Sequence, residues 1–450
     1  MLRETTVENG KIHGIAGADP RITAYKGVPF AKPPVGELRW RAPQRLDEKW
    51  DGEYYAVDFA PISVQDQPGV GTDVYCKEWH VDPDIPMDED CLYLNIWTPA
   101  KSADEKLPVL VWFFGGGYQW GYTAEMEFDG ERIARRGVIV VSVNYRLAAL
   151  GFMAHPEITA DAKAHGEAPG NFGLLDQQAG LNWVRRNIAA FGGDPDRITI
   201  AGQSAGGGSV MHQLTCKDNF DIIKGAVIFS GMIKHPDPNM DIFKPIKLEE
   251  AEKRGQDFFN FLGVKNLAEA RALDAFEIRA KYGQYAAEHP RVFPIEDGVF
   301  CVGDPYTGFI NGDRAKVPVF AGNTVDEFVI DGRSIVEPSV KNAFLSSGAD
   351  NMYYYCFEPD IPGDDQPGCF HSCDLWFFFE SLGKCWRHYV GRHYDLARQM
   401  CNYYANFVKN GTPNGNDPDG SVMPEWKPYT ASEHFEMHFT SDGAKGCIGD

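Results

Sequence analysis

No run of about eighteen uninterrupted apolar residues occurs in this 450-residue chain, which excludes an ordinary membrane-spanning helix. The opening stretch MLRETTVENGKIHGI lacks the apolar core and small-residue cleavage site of a secretory leader, so a cytoplasmic location is expected. It reads instead as two short strands around the Asn9-Gly10 turn. Basic residues are scarce: 43 Lys and Arg stand against 64 Asp and Glu, a formal net charge of −21. Nucleic acid and anionic membrane surfaces both demand a basic face, so neither is an expected partner. There is no internal repeat, no low-complexity tract and no Gly/Ser linker. The polar stretch NGTPNGNDPDGS (410–421) reads as a surface loop within one compact unit.

Ten cysteines are present, but a long chain in a reducing compartment is expected to keep them as free thiols. The segment CFHSC (369–373) places His371 between two of them. Structural zinc needs a second ligand pair at similar spacing, and none is evident, so neither metal nor organic cofactor is expected.

What the chain does have is apolar strand material alternating with helical material. The runs LPVLVWFF (107–114), GVIVVSVNY (137–145), RITIAG (197–202), IKGAVIFSG (223–231) and KVPVFAGN (316–323) read as buried parallel strands. Between them LLDQQAGLNWVRRNIAAF (174–191) and LEEAEKRGQDFFNFLG (248–263) read as helices. This pattern predicts an α/β fold with a mostly parallel sheet covered on both faces, and functional residues at the C-terminal strand ends.

One such end is ITIAGQSAGGGSV (198–210), where Ser204 stands between Gly202 and Gly206. A tight strand-to-helix corner exposes a serine hydroxyl, which becomes a nucleophile once a base and oxyanion donors are beside it. The bare pattern G-x-S-x-G arises by chance in roughly one glycine-rich chain of this length in six. The triple glycine of FFGGGYQWG (113–121) adds weight, because successive glycines let backbone N–H groups converge on an oxyanion; Ala205 supplies a further N–H. Neither phosphate-binding glycine pattern can be written on those residues. In a fold of this kind the acid and then the histidine follow the serine. Asp326 and Glu327 both end the strand KVPVFAGN, and spacing does not choose between them. His371, His388 and His393 are all in the right order for the base.

Taken together, these segments resemble the type-B carboxylesterase family, whose members include cholinesterases and para-nitrobenzyl esterases. The resemblance rests on YKGVPFAKPPVGELRWRAPQ (25–44), EDCLYLNIWTP (89–99), NFGLLDQQAGLNWVRRNIAAFGGDPDRITIAGQSAGG (171–207), GNTVDEF (322–328) and GCFHSCDLWFFF (368–379), and spans nearly the whole chain. It implies an α/β-hydrolase fold in a single domain over 1–450. N-terminal strands and a gate loop would occupy 1–105, and the sheet core with oxyanion loop and nucleophile elbow 106–328. A shortened cover, the histidine loop and a C-terminal helix would fill 329–450. It also implies Ser204 as nucleophile, Glu327 as acid and His371 as base, with Gly116, Gly117 and Ala205 as oxyanion donors and Ser230 supporting the acid. Arg39 would meet Glu89, and Arg146 would meet Asp176. Cys76 would be the family's partner for Cys91, although the expected compartment argues against that bond.

The chain departs from the family pattern in three places. Gln203 stands where relatives usually carry Glu before the nucleophile, which removes a charge that would favour the imidazolium. Ser372 replaces the usual glycine after the histidine. Only 43 residues lie between Glu327 and His371, predicting a trimmed cover and a more open mouth. The implied activity is hydrolysis of small uncharged esters, aromatic ones included, through an acyl-enzyme. Tyr118, Trp120, Met232, Trp376 and Trp79 are the candidate pocket walls, although the stripe from Trp376 into three phenylalanines also reads as core. The competing functions are a catalytically silent adhesion relative, or the same machinery acting on amides, thioesters or hydroxycinnamate esters. Oligomeric state has no signature in the sequence.

Overall fold

An apolar strand without alternating polarity is stable only where both sheet faces are covered. In the computed structural model, which describes residues 1–237, 241, 243–417 and 420–449, such strands form the middle of one large sheet. Among these residues eleven strands join it: β1 (Ile15–Ala16), β2 (Thr23–Pro29), β3 (Tyr93–Thr98), β4 (Leu107–Phe113), β5 (Ile139–Val143), β6 (Gly193–Gln203), β7 (Ile223–Phe229), β8 (Val319–Thr324), β9 (Met352–Phe357), β10 (Phe435–Thr440) and β11 (Gly443–Ile448). Their spatial order is β11-β10-β9-β8-β7-β6-β4-β5-β3-β2-β1. From β10 to β5 every pairing is parallel. The strands beyond that block pair antiparallel. The N-terminal hairpin Glu4–Val7 with Gly10–His13 forms beside the sheet, around Asn9-Gly10 as expected.

Strand β4 shows the physical reason for the two-sided cover. Leu110 and Trp112 pack into one buried cluster, while Val109, Val111 and Phe113 pack into the other, and all five are fully buried. Successive side chains point to opposite faces. Each such burial stabilises the fold by about 1.5–3 kcal/mol. The covering helices include α1 (Phe172–Asn187), α2 (Ala205–Thr215), α3 (Leu248–Leu262), α4 (Val336–Ser347) and α5 (Gly391–Asn410). Helix α5 buries Leu396, Met400, Tyr403 and Phe407, a helical stripe, and ends at Gly411 in the left-handed region.

One element boundary differs from the sequence expectation. The helix over 174–191 is α-helical only to Asn187, then tightens into a 3₁₀ turn (Ile188–Phe191) closed by Gly192. Helix α5 begins at Gly391, and just ahead of it Arg387 is drawn inward to Glu78 and Asp365. In the 410–421 loop Asn414 makes two hydrogen bonds to the Trp426 backbone, at 2.7 and 2.8 Å; residues 418 and 419 lie outside the described residues. Between Glu327 and the histidine loop the chain forms a short hairpin, helix α4 and strand β9.

Candidate active site

Strand β6 ends at Gln203 and helix α2 begins at Ala205, so Ser204 is the whole turn. Its backbone sits at φ 55°, ψ −121°, a conformation costing about 1–3 kcal/mol for an L-residue. The sheet and helix together hold this strain: the Ser204 N–H donates to the Phe229 carbonyl at 2.9 Å, and its carbonyl accepts from Gly208 at 2.8 Å. The flanking glycines are required by contact. A Cβ on Gly206 would lie 2.0 Å from the Phe113 carbonyl oxygen, and one on Gly202 would lie 2.2 Å from that of Gly206. The corner therefore exists to present Ser204.

Gly116 and Gly117, beyond the end of β4, border the same cavity as Ser204. Gly116 adopts φ +96°, and a Cβ there would lie 2.2 Å from the Trp120 carbonyl oxygen. Among the described residues nothing accepts from the N–H of either glycine. Ala205 opens α2, so its N–H is one of the helix-terminal donors without an intrahelical partner. Unpaired backbone N–H groups of this kind carry the positive field that an oxyanion needs.

Of the two carboxylates after β8, Glu327 faces the histidine. Its Oε1 accepts from Thr324 N–H at 3.1 Å, and its Oε2 meets His371 Nδ1. Asp326 instead accepts from Cys369 N–H at 2.8 Å and so braces the backbone of the histidine loop. The Phe328 ring stands edge-on to the imidazole, centroids 4.5 Å apart. His388 is exposed, and His393 Nδ1 accepts from Val390 N–H at the start of α5, so neither approaches Ser204. Within CFHSC the Cys369 thiol donates to the Pro359 carbonyl at 2.9 Å, while His371 turns to Glu327. Another trio, Cys356, Glu358 and His438, brings metal-ligating atoms within 4.8 Å of one another. There His438 already lies 2.7 Å from Glu358 and 3.4 Å from Glu436, an ion-pair array that raises its pKa.

Ser204 borders two cavities. The larger, of about 530 Å³, is lined by His371, Tyr75, Trp79, Trp120, Phe128 and Phe328. The smaller, of about 50 Å³, is lined by Tyr118, Met232, Phe293 and Tyr306, with Ala205 at its edge. Two expected site residues fall elsewhere. Trp376 is fully buried beneath Trp79, ring centroids 6.4 Å apart, and its Nε1–H donates to Glu78 at 3.2 Å; it is core. Ser230 does not support the acid: its hydroxyl is buried without a hydrogen bond among the described residues. Glu327 already has its partners in Thr324 and His371, and the Ser230 backbone is spent on the Gly322 carbonyl at 2.9 Å.

Three groups escaped the sequence. Glu125 and Glu127 lie buried on the wall of the larger cavity, where burial pushes both carboxyls well above the ordinary range. Glu125 also touches His80 Nδ1, and burial lowers the pKa of that imidazole. Asp374, three residues after His371, is fully buried and pushed up to about 7, mainly by burial. Its signal was a lone charge against the apolar run LWFFF. The Trp79 stretch is pinned by the buried Glu78, which accepts from Arg387 Nε at 2.6 Å and from Trp386 Nε1 at 3.1 Å. Arg39 meets Glu89 at 2.7 Å and Arg146 meets Asp176 at 2.7 Å, both pairs buried. Cys76 and Cys91 are free thiols.

The sequence profile of the Carboxylesterase family matches residues 3–343. The chain belongs to that family. This carboxylesterase is 29% identical to a cholinesterase of Mus musculus over 536 residues, covering 98% of this chain and 83% of that protein. It is 33% identical over 340 residues to a fumonisin B1 esterase of Sphingopyxis macrogoltabida, covering 73% of this chain and 56% of the other. Among solved structures, a PNB esterase superposes with TM-score 0.84 at 24% identity over 100% of this chain and 97% of that one. A carboxylesterase of Geobacillus stearothermophilus superposes with TM-score 0.81 at 26% identity, over 99% and 97%. The fold is that of the α/β hydrolases, and the protein is a serine carboxylic-ester hydrolase.

Proposed function

We propose that Ser204, His371 and Glu327 carry the reaction, and that the two cavities beside Ser204 divide the ester between them. His371 takes the Ser204 proton as the oxygen attacks the ester carbonyl, and the oxyanion accepts from the N–H groups of Gly116, Gly117 and Ala205. The imidazolium returns its proton to the leaving alcohol, and water then repeats the sequence on the acyl-enzyme. Glu327 keeps the proton on Nδ1 and stabilises the charged ring. The observation that carries these roles is the Glu327–His371 pair opening onto the cavity that also holds Ser204 and the two glycines.

Because the general acid must reach the leaving oxygen, the alcohol part belongs in the larger cavity beside His371. Its walls, Trp79, Trp120, Tyr75 and Phe128, suit an aryl or other apolar alcohol. Burial raises the pKa of Glu125 and Glu127 and so favours their neutral forms on that wall, which suits uncharged esters. The smaller cavity, closed by Met232 and Phe293, limits the acyl part to a short chain.

Labelling with a fluorophosphonate together with hydrolysis of p-nitrophenyl esters tests these roles. Wild type should label at Ser204 and favour acetate over long acyl chains. Ser204→Ala should lose labelling and about 10⁴-fold or more in rate. Labelling that survives in Ser204→Ala would assign the nucleophile elsewhere.

A further inference from the structure

Gln203, the residue before the nucleophile, has its amide nitrogen 2.6 Å from Ser372 Oγ and 3.1 Å from His371 Nε2. Gln203 and Ser372 are buried. These are the two positions at which side chains near the catalytic serine depart from the family pattern, and they meet each other. An imidazole whose Nδ1–H is given to a carboxylate keeps only a lone pair at Nε2. His371 Nδ1 is on Glu327, so Nε2 accepts from Gln203. That lone pair is the one that must take the Ser204 proton. Among the described residues no hydrogen bond joins the Ser204 hydroxyl to His371.

We propose that Gln203 is a positioning residue that caps the base of the resting enzyme: its N–H, steadied by Ser372, occupies His371 Nε2 until an ester displaces it toward Ser204. The inference rests on the assignment of Ser204 and His371 made above. The cap has two consequences. It competes with Ser204 for the base, and a neutral hydrogen bond of ordinary strength slows nucleophile activation about three- to tenfold. It also donates to the lone pair of the neutral ring, whereas a carboxylate in its place could only accept a hydrogen bond from the ring. The other titratable groups around the ring are Glu327 on Nδ1 and the Asp374 carboxyl, with Asp66, Asp73, Tyr75, Cys76, His80 and the Glu125–Glu127 pair around the cavity. Among the described residues no lysine or arginine lines that cavity.

The test compares wild type, Gln203→Met, Gln203→Glu and Ser372→Gly. Methionine keeps the volume without the donor, and glycine suits the φ of +81° at position 372. Two quantities are measured: the rate of inactivation by a small fluorophosphonate at pH 7, and the acid limb of the kcat/KM profile on p-nitrophenyl acetate. Gln203→Met and Ser372→Gly should be inactivated about three- to tenfold faster, with the acid limb moved to higher pH. Gln203→Glu should carry the limb higher still. A variant with wild-type near-UV circular dichroism that is inactivated no faster, and whose limb does not move, overturns the cap. A uniform loss of rate at every pH assigns Gln203 a packing role only and also overturns it. Should Gln203→Met fail to fold, Ser372→Gly answers the same question. Wild type that takes no label at all removes the catalytic assignment as well, so the two failures are distinguishable.

Discussion

Asp374→Asn should stabilise the protein by an amount that grows with pH. The carboxyl is fully buried; its Oδ2 accepts from the Tyr355 hydroxyl at 2.6 Å, while its Oδ1 has no partner. Burial and the neighbouring Glu327 raise its pKa from 3.8 to about 7, against the lowering effects of Tyr355 and His371. The folded protein therefore holds this proton more tightly than the unfolded chain does. Stability from this group is complete below pH 4 and is lost as pH rises through 7. At about 1.4 kcal/mol per pH unit, the full cost above pH 7 is about 4 kcal/mol, and at pH 5 it is under about 2 kcal/mol. Asparagine removes the ionisation and can still accept from Tyr355. Any packing penalty of the amide is the same at both pH values and cancels. Urea denaturation of both proteins should show the variant gaining about 2–3 kcal/mol on wild type between pH 5 and pH 8. An equal gap at both values would mean that Asp374 is ionised throughout, and the argument from burial would fail.

The two carboxylates after β8 should separate cleanly in kinetics. Glu327→Gln should lower kcat about 10⁴-fold on p-nitrophenyl acetate, while Asp326→Asn, which leaves His371 its partner, should stay within about tenfold of wild type. The converse result would exchange their roles. Arg387→Met, measured by thermal denaturation, should destabilise by about 3–5 kcal/mol, because it strands the Glu78 charge in a buried site; Glu78→Gln should cost less, since Arg387 keeps the Asp365 carboxylate. The same pair pins the Trp79 stretch, so both variants should also raise KM for aryl esters more than for methyl esters; equal effects on the two would detach that stretch from the alcohol side.

Much of the architecture was legible in the residues. Unbroken apolar strands alternating with helical segments specify a covered parallel sheet, since no other arrangement buries both faces of LPVLVWF. Ser204 stood out because the glycine corner at a strand end is joined by the triple glycine after LPVLVWFF and by the family resemblance; the corner alone is too common to single it out. Which carboxylate meets His371 was not legible from spacing. Asp326 and Glu327 are adjacent, and only the path of the loop after β8 sends one to the imidazole and the other to the Cys369 backbone. Ser230 misleads, and Trp376 reads as either wall or core, for a related reason: position in a motif does not reveal whether a side chain reaches a cavity or is sealed beneath it.

Local patterns in the chain, namely the strand periodicity, the glycine corner and the order of serine, acid and histidine, determined the fold class and the chemistry, because backbone conformation and burial depend on near neighbours. The contacts of Gln203 with Ser372 and His371, the proton on Asp374 and the division of space around Ser204 were decided only by tertiary structure. Each depends on desolvation and on contacts between different elements of the chain, and neither quantity is defined until the chain has closed on itself.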